Sequence, residues 1–127
     1  LENMLVRAKF SAKVLEPMTQ DWLKKAIAVK KRLTGSAPEY PQGSICAAVS
    51  TIRLKPGYAG LTEPPTDRRP YTVISINPSV ATNRKYLSQV VLHECIHAVV
   101  FSKGGEPHNE EFMQLAEILG LEEKYRN

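Results

Sequence analysis

Histidine, cysteine and long apolar runs are all scarce in this sequence of 127 residues. The two cysteines, Cys46 and Cys95, are too few for a disulfide framework, and we expect both to be small core residues in a reducing compartment. No apolar run approaches the roughly 18 residues that span a bilayer. The beginning of the sequence also lacks the basic and apolar regions of a secretory signal. These absences predict a cytoplasmic protein without a membrane segment.

Length and composition predict a single folded domain over residues 1–127. Apolar residues make up 43% of the chain and charged residues 24%, which is close to the averages of globular proteins. A chain of this size can bury a core and is too short for two domains of ordinary size. One hypothesis is that Met4 is the native start and that residues 1–3 were added during expression.

Positive charge is concentrated in the first part of the chain. Up to Val90 there are 14 Lys and Arg against 6 Asp and Glu, a balance of +8, whereas from Val91 there are 3 against 7, a balance of −4. This asymmetry is consistent with a DNA partner. A solvated helix face explains it slightly better, since no aromatic stacking pattern accompanies the charge. The residues that would contact DNA share one predicted helix: Lys24, Lys25, Lys30, Lys31 and Arg32.

The first half of the chain predicts two strands and one helix. Residues 5–15 alternate apolar and polar side chains, which favours a half-buried strand, although apolar residues at helical spacing leave a helix open. After Pro17, Thr19 is a suitable N-cap for an amphipathic helix that ends near Gly35. The β-branched stretch 45–54 predicts a second strand.

The second half predicts a strand followed by two helices. Residues 55–70 contain two Gly and four Pro, which excludes regular helix and predicts a long surface loop or an irregular hairpin. Residues 71–77 form a strong strand pattern. Asn83 is a good N-cap for a helix over about 84–102, which is apolar nearly all round and therefore buried. A last helix is expected over 109–119, before Gly120.

All three histidines of the chain lie within VVLHECIHAVVFSKGGEPHNEEF, residues 90–112. His93 and His97 are four residues apart, so on a helix they face the same way and can bind one ion. Catalytic zinc sites usually have three protein ligands and one open position. His108 follows a Gly-Gly break, is the only remaining imidazole and is free to fold back. The spacing therefore predicts a zinc site formed by His93, His97 and His108.

Glu94 is predicted to be the catalytic base of this site. It lies about 100° around the helix from His93, so it is poorly placed as a ligand and well placed to reach a metal-bound water. Zinc lowers the pKa of such a water to about 7, and the carboxylate can take its proton during attack on a carbonyl. This is the chemistry of the H-E-x-x-H pattern. The alternatives are a zinc-stabilised binding or regulatory module without turnover, and a metal-free structural domain.

Neighbouring residues have weaker claims on the site. Glu110 or Glu111 could orient a ligand, although acidic residues in the first turn of a helix are expected in any case for the helix dipole. Phe112 is expected to pack beneath the metal site. Tyr71 and Tyr86 are candidate oxyanion donors, and a structural role is favoured for both.

The segments AGLTE, YTVISINPSV, YLSQVVLHECIHAVVF and HNEEF together resemble the SprT-like family of zinc metallopeptidases, which includes the eukaryotic Spartan proteases. The resemblance covers residues 45–119, and Asn109 stands where the family often has glycine. It implies that the three histidines bind one zinc ion and that Glu94 is the base. It also implies protein substrates that are bound or crosslinked to DNA.

The fold implied by the resemblance is a minimal zincin-like α+β domain. An N-terminal helix packs on a small three-stranded sheet, and the active-site helix and a closing helix follow. We then expect the strand 71–77 to run beside the active-site helix, with a free edge that accepts a substrate peptide as an added strand. Because backbone pairing reads few side chains, the expected activity is that of a broad endopeptidase.

Overall fold

The computed structural model describes residues 12–40, 44–50, 54–100 and 108–126. Its architecture is α+β, as predicted, with an N-terminal helix, a small mixed sheet and two further helices. The helices are α1 (Ala12–Thr34), α2 (Arg84–Val100) and α3 (Glu110–Leu119), and the strands are β1 (Ile45–Val49), β2 (Gly60–Glu63) and β3 (Thr72–Ile76). Short 3₁₀ turns occupy Pro78–Thr82 and Glu123–Tyr125.

The three strands form one sheet in the order β1-β3-β2. Strand β1 pairs with β3 in parallel, with Ile45 opposite Thr72, and β2 pairs with β3 in antiparallel, with Gly60 opposite Ile76. All five residues of β3 are buried, which suits a strand at the centre of a sheet. The expectation that the strand 71–77 has a free edge is therefore wrong, because both edges of β3 are occupied.

Strand β2 lies inside the stretch 55–70, for which a loop or an irregular hairpin was expected. The hairpin alternative is confirmed, since β2 and β3 are consecutive antiparallel strands. A turn precedes β2, in which the Tyr58 N–H donates to the Lys55 carbonyl oxygen at 3.1 Å. Pro56 and Gly57 occupy its centre, and the φ of 88° at Gly57 is the left-handed conformation that a type II turn requires.

Helix α1 begins earlier than the sequence suggests. Residues 12–15 belong to its first turn, so the strand prediction for 5–15 is wrong there, and residues 5–11 lie outside the described part of the chain. Pro17 lies within the helix, and Thr19 is not its N-cap: its buried hydroxyl donates to the Leu15 carbonyl oxygen at 2.7 Å. Leu15 is fully buried, and its burial offsets the backbone hydrogen bond that a proline cannot donate.

Helix α2 is the buried centre of the domain, as predicted. It contacts α1, α3 and the sheet, and it begins where the Asn83 side chain accepts a hydrogen bond from the Tyr86 N–H at 3.0 Å. Its buried residues cover nearly the whole circumference: Leu87, Val90, Val91, Leu92, His93, Glu94, Cys95, Ile96, Ala98, Val99 and Val100. Within the part of the chain that the structure describes, no helix has the length and hydropathy needed to cross a membrane.

Helix α3 closes the core beside α2 and α1. Its ends match the prediction, because the Asn109 side chain accepts from the Phe112 N–H at 2.9 Å and Gly120 adopts the left-handed conformation. Two polar contacts fix α1 against its neighbours. The Trp22 indole donates to the Ser88 hydroxyl at 3.0 Å, and Lys30 Nζ lies 2.5 Å from Glu111 Oε1.

The two cysteines occupy different environments. Cys95 is a buried core residue, as expected, and burial raises the pKa of its thiol. Cys46 is exposed on β1, so the expectation of a core position is wrong for this residue. The alternation of strand faces explains the difference, because Ile45 points into the core and its neighbour must point outward.

Candidate metal centre

The three histidines converge at one end of the buried helix. His93 and His97 lie one turn apart on α2, and His108 lies two residues before α3. The Nε2 atoms of His93 and His97 are 3.1 Å apart, those of His97 and His108 are 3.1 Å apart, and those of His108 and His93 are 3.3 Å apart. The structure thus brings together the three side chains that the sequence singled out.

This arrangement fits a metal ion. Tetrahedral ligands at 2.0–2.1 Å from zinc lie about 3.3–3.4 Å from one another, which is close to the spacing of the three Nε2 atoms. These three residues form a group that could hold a metal ion. Three neutral ring nitrogens that face each other cannot all be paired with one another by hydrogen bonds, because each nitrogen is either a donor or an acceptor.

The electrostatics of the cluster favour neutral rings. Burial, followed by the neighbouring His93 and His108, lowers the pKa of His97 to about 3. Burial also lowers the pKa values of His93 and His108. At neutral pH the rings are therefore unprotonated, which is the state that binds a metal.

A main-chain carbonyl orients the first histidine. The Nδ1 atom of His93 lies 2.7 Å from the carbonyl oxygen of Tyr125. A hydrogen bond there places the ring proton on Nδ1 and leaves the Nε2 lone pair directed at the cluster. The Tyr125 ring stacks on Tyr86, with 5.4 Å between ring centroids.

Phe112 forms the floor of the cluster, as expected. Its ring centroid lies 5.1 Å from that of His93, 4.7 Å from that of His97 and 4.9 Å from that of His108. The Phe112 side chain is fully buried. Because Asn109 caps α3 through the Phe112 N–H, the residue that stands in place of the usual glycine helps to fix the turn that carries His108.

Glu94 lies beside the cluster with its side chain almost entirely removed from solvent, since only 5% of the residue is exposed. Burial raises the pKa of Glu94 to about 7, against an opposing hydrogen bond from Thr62. The Thr62 hydroxyl lies 2.7 Å from Glu94 Oε1. A carboxyl group with this pKa can both accept and return a proton near neutral pH.

An open cleft of about 730 Å³ contains the cluster. Its lining comes from β2 with the turn before it, from α2, from His108 and from the segment after α3. The lining residues are Gly57, Tyr58, Ala59, Gly60, Leu61, Thr62, Tyr86, Val90, His93, Glu94, His97, His108, Lys124 and Tyr125. Glu94 and all three histidines therefore share one cavity.

Most of the weaker site candidates from the sequence analysis lie outside the metal centre. Glu111 pairs with Lys30, and Glu110 is exposed in the first turn of α3. Tyr71 is exposed, and the Arg69 guanidinium lies 5.7 Å from the centroid of its ring. Of the two tyrosines proposed as oxyanion donors, only Tyr86 lines the cleft.

Three residues of the site were not predicted from their chemistry. Gly60 leaves space for the Glu94 side chain and Thr62 donates a hydrogen bond to it. The only sequence signal of these two residues was the segment AGLTE, which contributed to the family resemblance. Tyr125 acts through its main-chain carbonyl, which carries no sequence signal.

The fold and the site define an α+β domain with a three-histidine group that could hold a metal ion. The model of the SprT-like family matches residues 20–125. The chain belongs to this family, as the resemblance in the sequence implied. No curated protein and no solved structure matched the chain.

Proposed function

We propose that the protein is a zinc-dependent endopeptidase in which Glu94 is the general base. The observation that carries this proposal is the shared cavity: three imidazole Nε2 atoms within 3.3 Å of one another, next to a buried carboxyl group. Membership of the SprT-like family supports it. His93, His97 and His108 would hold the zinc ion.

The role of each group in the proposed reaction follows from its chemistry. Zinc in such a site supplies a Lewis acid that activates water and polarises a carbonyl group. Glu94, buried in the same cavity as the three histidines, would accept a proton from the attacking water and deliver it to the leaving nitrogen. The Tyr125 carbonyl holds His93 in the orientation that directs Nε2 to the ion.

We assign the substrate to the outer edge of β2 rather than to β3. The Asn77 N–H donates to the Ala59 carbonyl oxygen at 2.9 Å, which makes this pair hydrogen-bonded. Bonded and non-bonded pairs alternate along an antiparallel ladder, so Gly60 and Thr62 direct their N–H and C=O groups away from β3. An extended peptide can pair there, beside Glu94. Pairing through the backbone supports broad sequence selectivity.

Replacing Glu94 by Gln tests the function. We expect the variant to bind about one zinc ion per chain and to lose hydrolysis of a fluorogenic casein by at least about a hundredfold. Zinc is measured by elemental analysis, and wild-type protein with a chelator is the control. If wild-type protein with full zinc content has no hydrolytic activity, a non-catalytic zinc module replaces the enzyme as the better interpretation.

We also propose that the protein binds DNA through the basic face of α1 and acts on proteins that are associated with DNA. Lys24 and Lys31 are exposed and seven residues apart, so they lie on the same side of the helix, and Arg32 is exposed beside them. Lys30 is paired with Glu111 and Lys25 with Asp21, so neither is assigned to this surface. Replacing the other three residues by Gln should flatten the dependence of DNA affinity on salt concentration. An unchanged salt dependence would contradict the proposal.

A further inference from the structure

Gly60 lies in a strand where glycine is not required by the backbone. Its φ is not positive, since the positive values among the described glycines occur at Gly35, Gly57 and Gly120. Glycine weakens a strand, so its presence in one commonly marks a close approach by another group. The reason for a glycine at this position must therefore be space.

The group that needs this space is the Glu94 side chain. A Cβ atom on residue 60 would lie 3.0 Å from Glu94 Oε2, 3.1 Å from Glu94 Cγ and 3.0 Å from Val90 Cγ1. These separations are shorter than ordinary van der Waals contacts, which are about 3.5–4.0 Å between carbon atoms. An alanine at position 60 would have to displace the carboxyl group or move β2 away from α2.

Thr62 contacts the other oxygen of the same carboxyl group. Two residues apart on a strand, Gly60 and Thr62 present the same face to α2. The Thr62 hydroxyl lies 2.7 Å from Glu94 Oε1 and 3.0 Å from the Glu94 main-chain oxygen. Strand β2 thus acts on both carboxyl oxygens: Gly60 leaves open the space beside Oε2, and the Thr62 hydroxyl donates a hydrogen bond to Oε1.

We propose that Gly60 and Thr62 are positioning residues that hold the Glu94 carboxyl group in the orientation needed for proton transfer. This inference rests on the proposed peptidase function. The outer edge of β2, which we assign to the substrate, is formed by the backbone of these same two residues. Strand β2 then positions both the Glu94 carboxyl group and the substrate peptide bond to be cleaved, so the position of one relative to the other is set by a single strand.

Thr62→Val and Thr62→Ser provide the kinetic test. Valine keeps the shape of threonine and removes the hydroxyl, whereas serine keeps the hydroxyl. We expect zinc-loaded Thr62→Val to lose about tenfold in kcat on fluorogenic casein with KM within about twofold, and Thr62→Ser to recover most of that loss. Thr82→Val is a matched control, because its exposed hydroxyl donates to Ser79 outside the cleft, and should match wild type.

A second measurement does not depend on activity. Gly60→Ala and Glu94→Ala are combined in a double-mutant cycle, with unfolding by denaturant followed in the presence of a chelator. If the carboxyl group occupies the space at position 60, Gly60→Ala should lower the folding equilibrium constant about tenfold more when Glu94 is present than when alanine replaces it.

The outcomes separate this inference from the proposed function. Wild-type activity together with an unchanged kcat in Thr62→Val overturns the positioning role and leaves the peptidase intact. Additive effects in the cycle also overturn the role, because Gly60 and Glu94 would then be independent. Inactive wild-type protein with a strong coupling in the cycle overturns the peptidase and supports the packing of β2 on Glu94.

Discussion

Glu94 places an ionisable carboxyl group among apolar side chains of the core. Its side chain is buried in the central helix, where an uncompensated charge is costly, and its carboxyl pKa is raised to about 7 as a result. Thr62 stabilises the ionised form without restoring the ordinary value. Without zinc, the residue should therefore reduce the stability of the fold whenever it is ionised.

Replacing Glu94 by Gln should stabilise the metal-free protein more at pH 8 than at pH 5. The folded pKa of Glu94, about 7, lies above its unfolded value of 4.5. The unfolding free energy of wild-type protein is therefore highest below pH 4.5, where the carboxyl group is protonated, and falls as pH rises through 7. The difference in unfolding free energy between variant and wild type should grow by about 2 kcal/mol between the two pH values. Chemical denaturation with a chelator measures it.

The histidines do not obscure this comparison. The folded pKa of His97 is about 3, below the unfolded value of 6.5, so its contribution is present above 6.5 and is lost as pH falls toward 3. That effect has the opposite sign, and it is common to both proteins. Equal differences at the two pH values would show that Glu94 does not titrate with a raised pKa.

The sequence predicts those site residues whose relative positions are set by the spacing within one helix. His93 and His97 share a helix, and their spacing alone places both rings on one side. Gly60 and Thr62 are more than thirty positions earlier in the chain, and their contact with Glu94 depends on how β2 docks against α2. No local pattern encodes that docking.

Local signals likewise decide which elements could be predicted. Asn83 was predicted to cap the start of α2 and Gly120 to follow the end of α3, and the structure confirms both. Asn109, predicted only as the approximate start of the last helix, is its N-cap. The start of α1 was missed because Pro17 is usually a boundary, whereas here the burial of Leu15 extends the helix past it. The sheet order depends on pairing between distant strands, so the occupied edges of β3 were not predictable from the pattern of β3 alone.

The segment after α3 should act as a support for the metal centre. Its Tyr125 carbonyl contacts His93, and its Glu122 N–H donates to the Gln89 side chain at 2.8 Å. Ending the chain at Leu121 removes these contacts and keeps the buried Leu121 side chain. We expect this truncation to lower zinc affinity about 10–100-fold, the usual loss when a partner of a ligand is removed. Competition with a chromogenic chelator measures the affinity.

Tyr125→Ala is the matched control for the truncation. It removes the ring that stacks on Tyr86 and keeps the main-chain carbonyl that contacts His93. Its zinc affinity should therefore stay much closer to wild type than that of the truncated chain. Wild-type affinity in the truncated chain would show that the carbonyl does not support His93.

At the scale of the whole molecule, the three histidines bring the central helix together with the turn that precedes the closing helix. Two of them belong to α2, and His108 belongs to the turn that leads into α3. The sheet contributes the Glu94 contacts from the other side, and Phe112 joins the cluster to the core. An ion bound at this point therefore links the centre of the domain to its closing helix.

Zinc should raise the melting temperature of the whole domain. A ligand at a hundred times its Kd stabilises the folded state by about 2.7 kcal/mol, which corresponds to roughly 10 °C for a chain of this size. Replacing His97 by Ala should abolish the zinc-dependent shift, whereas Glu94→Gln should retain it, because Glu94 is not a ligand in this proposal. Differential scanning calorimetry with zinc and with a chelator makes the comparison. Equal melting temperatures in both conditions, with no zinc by elemental analysis, would identify a metal-free structural domain.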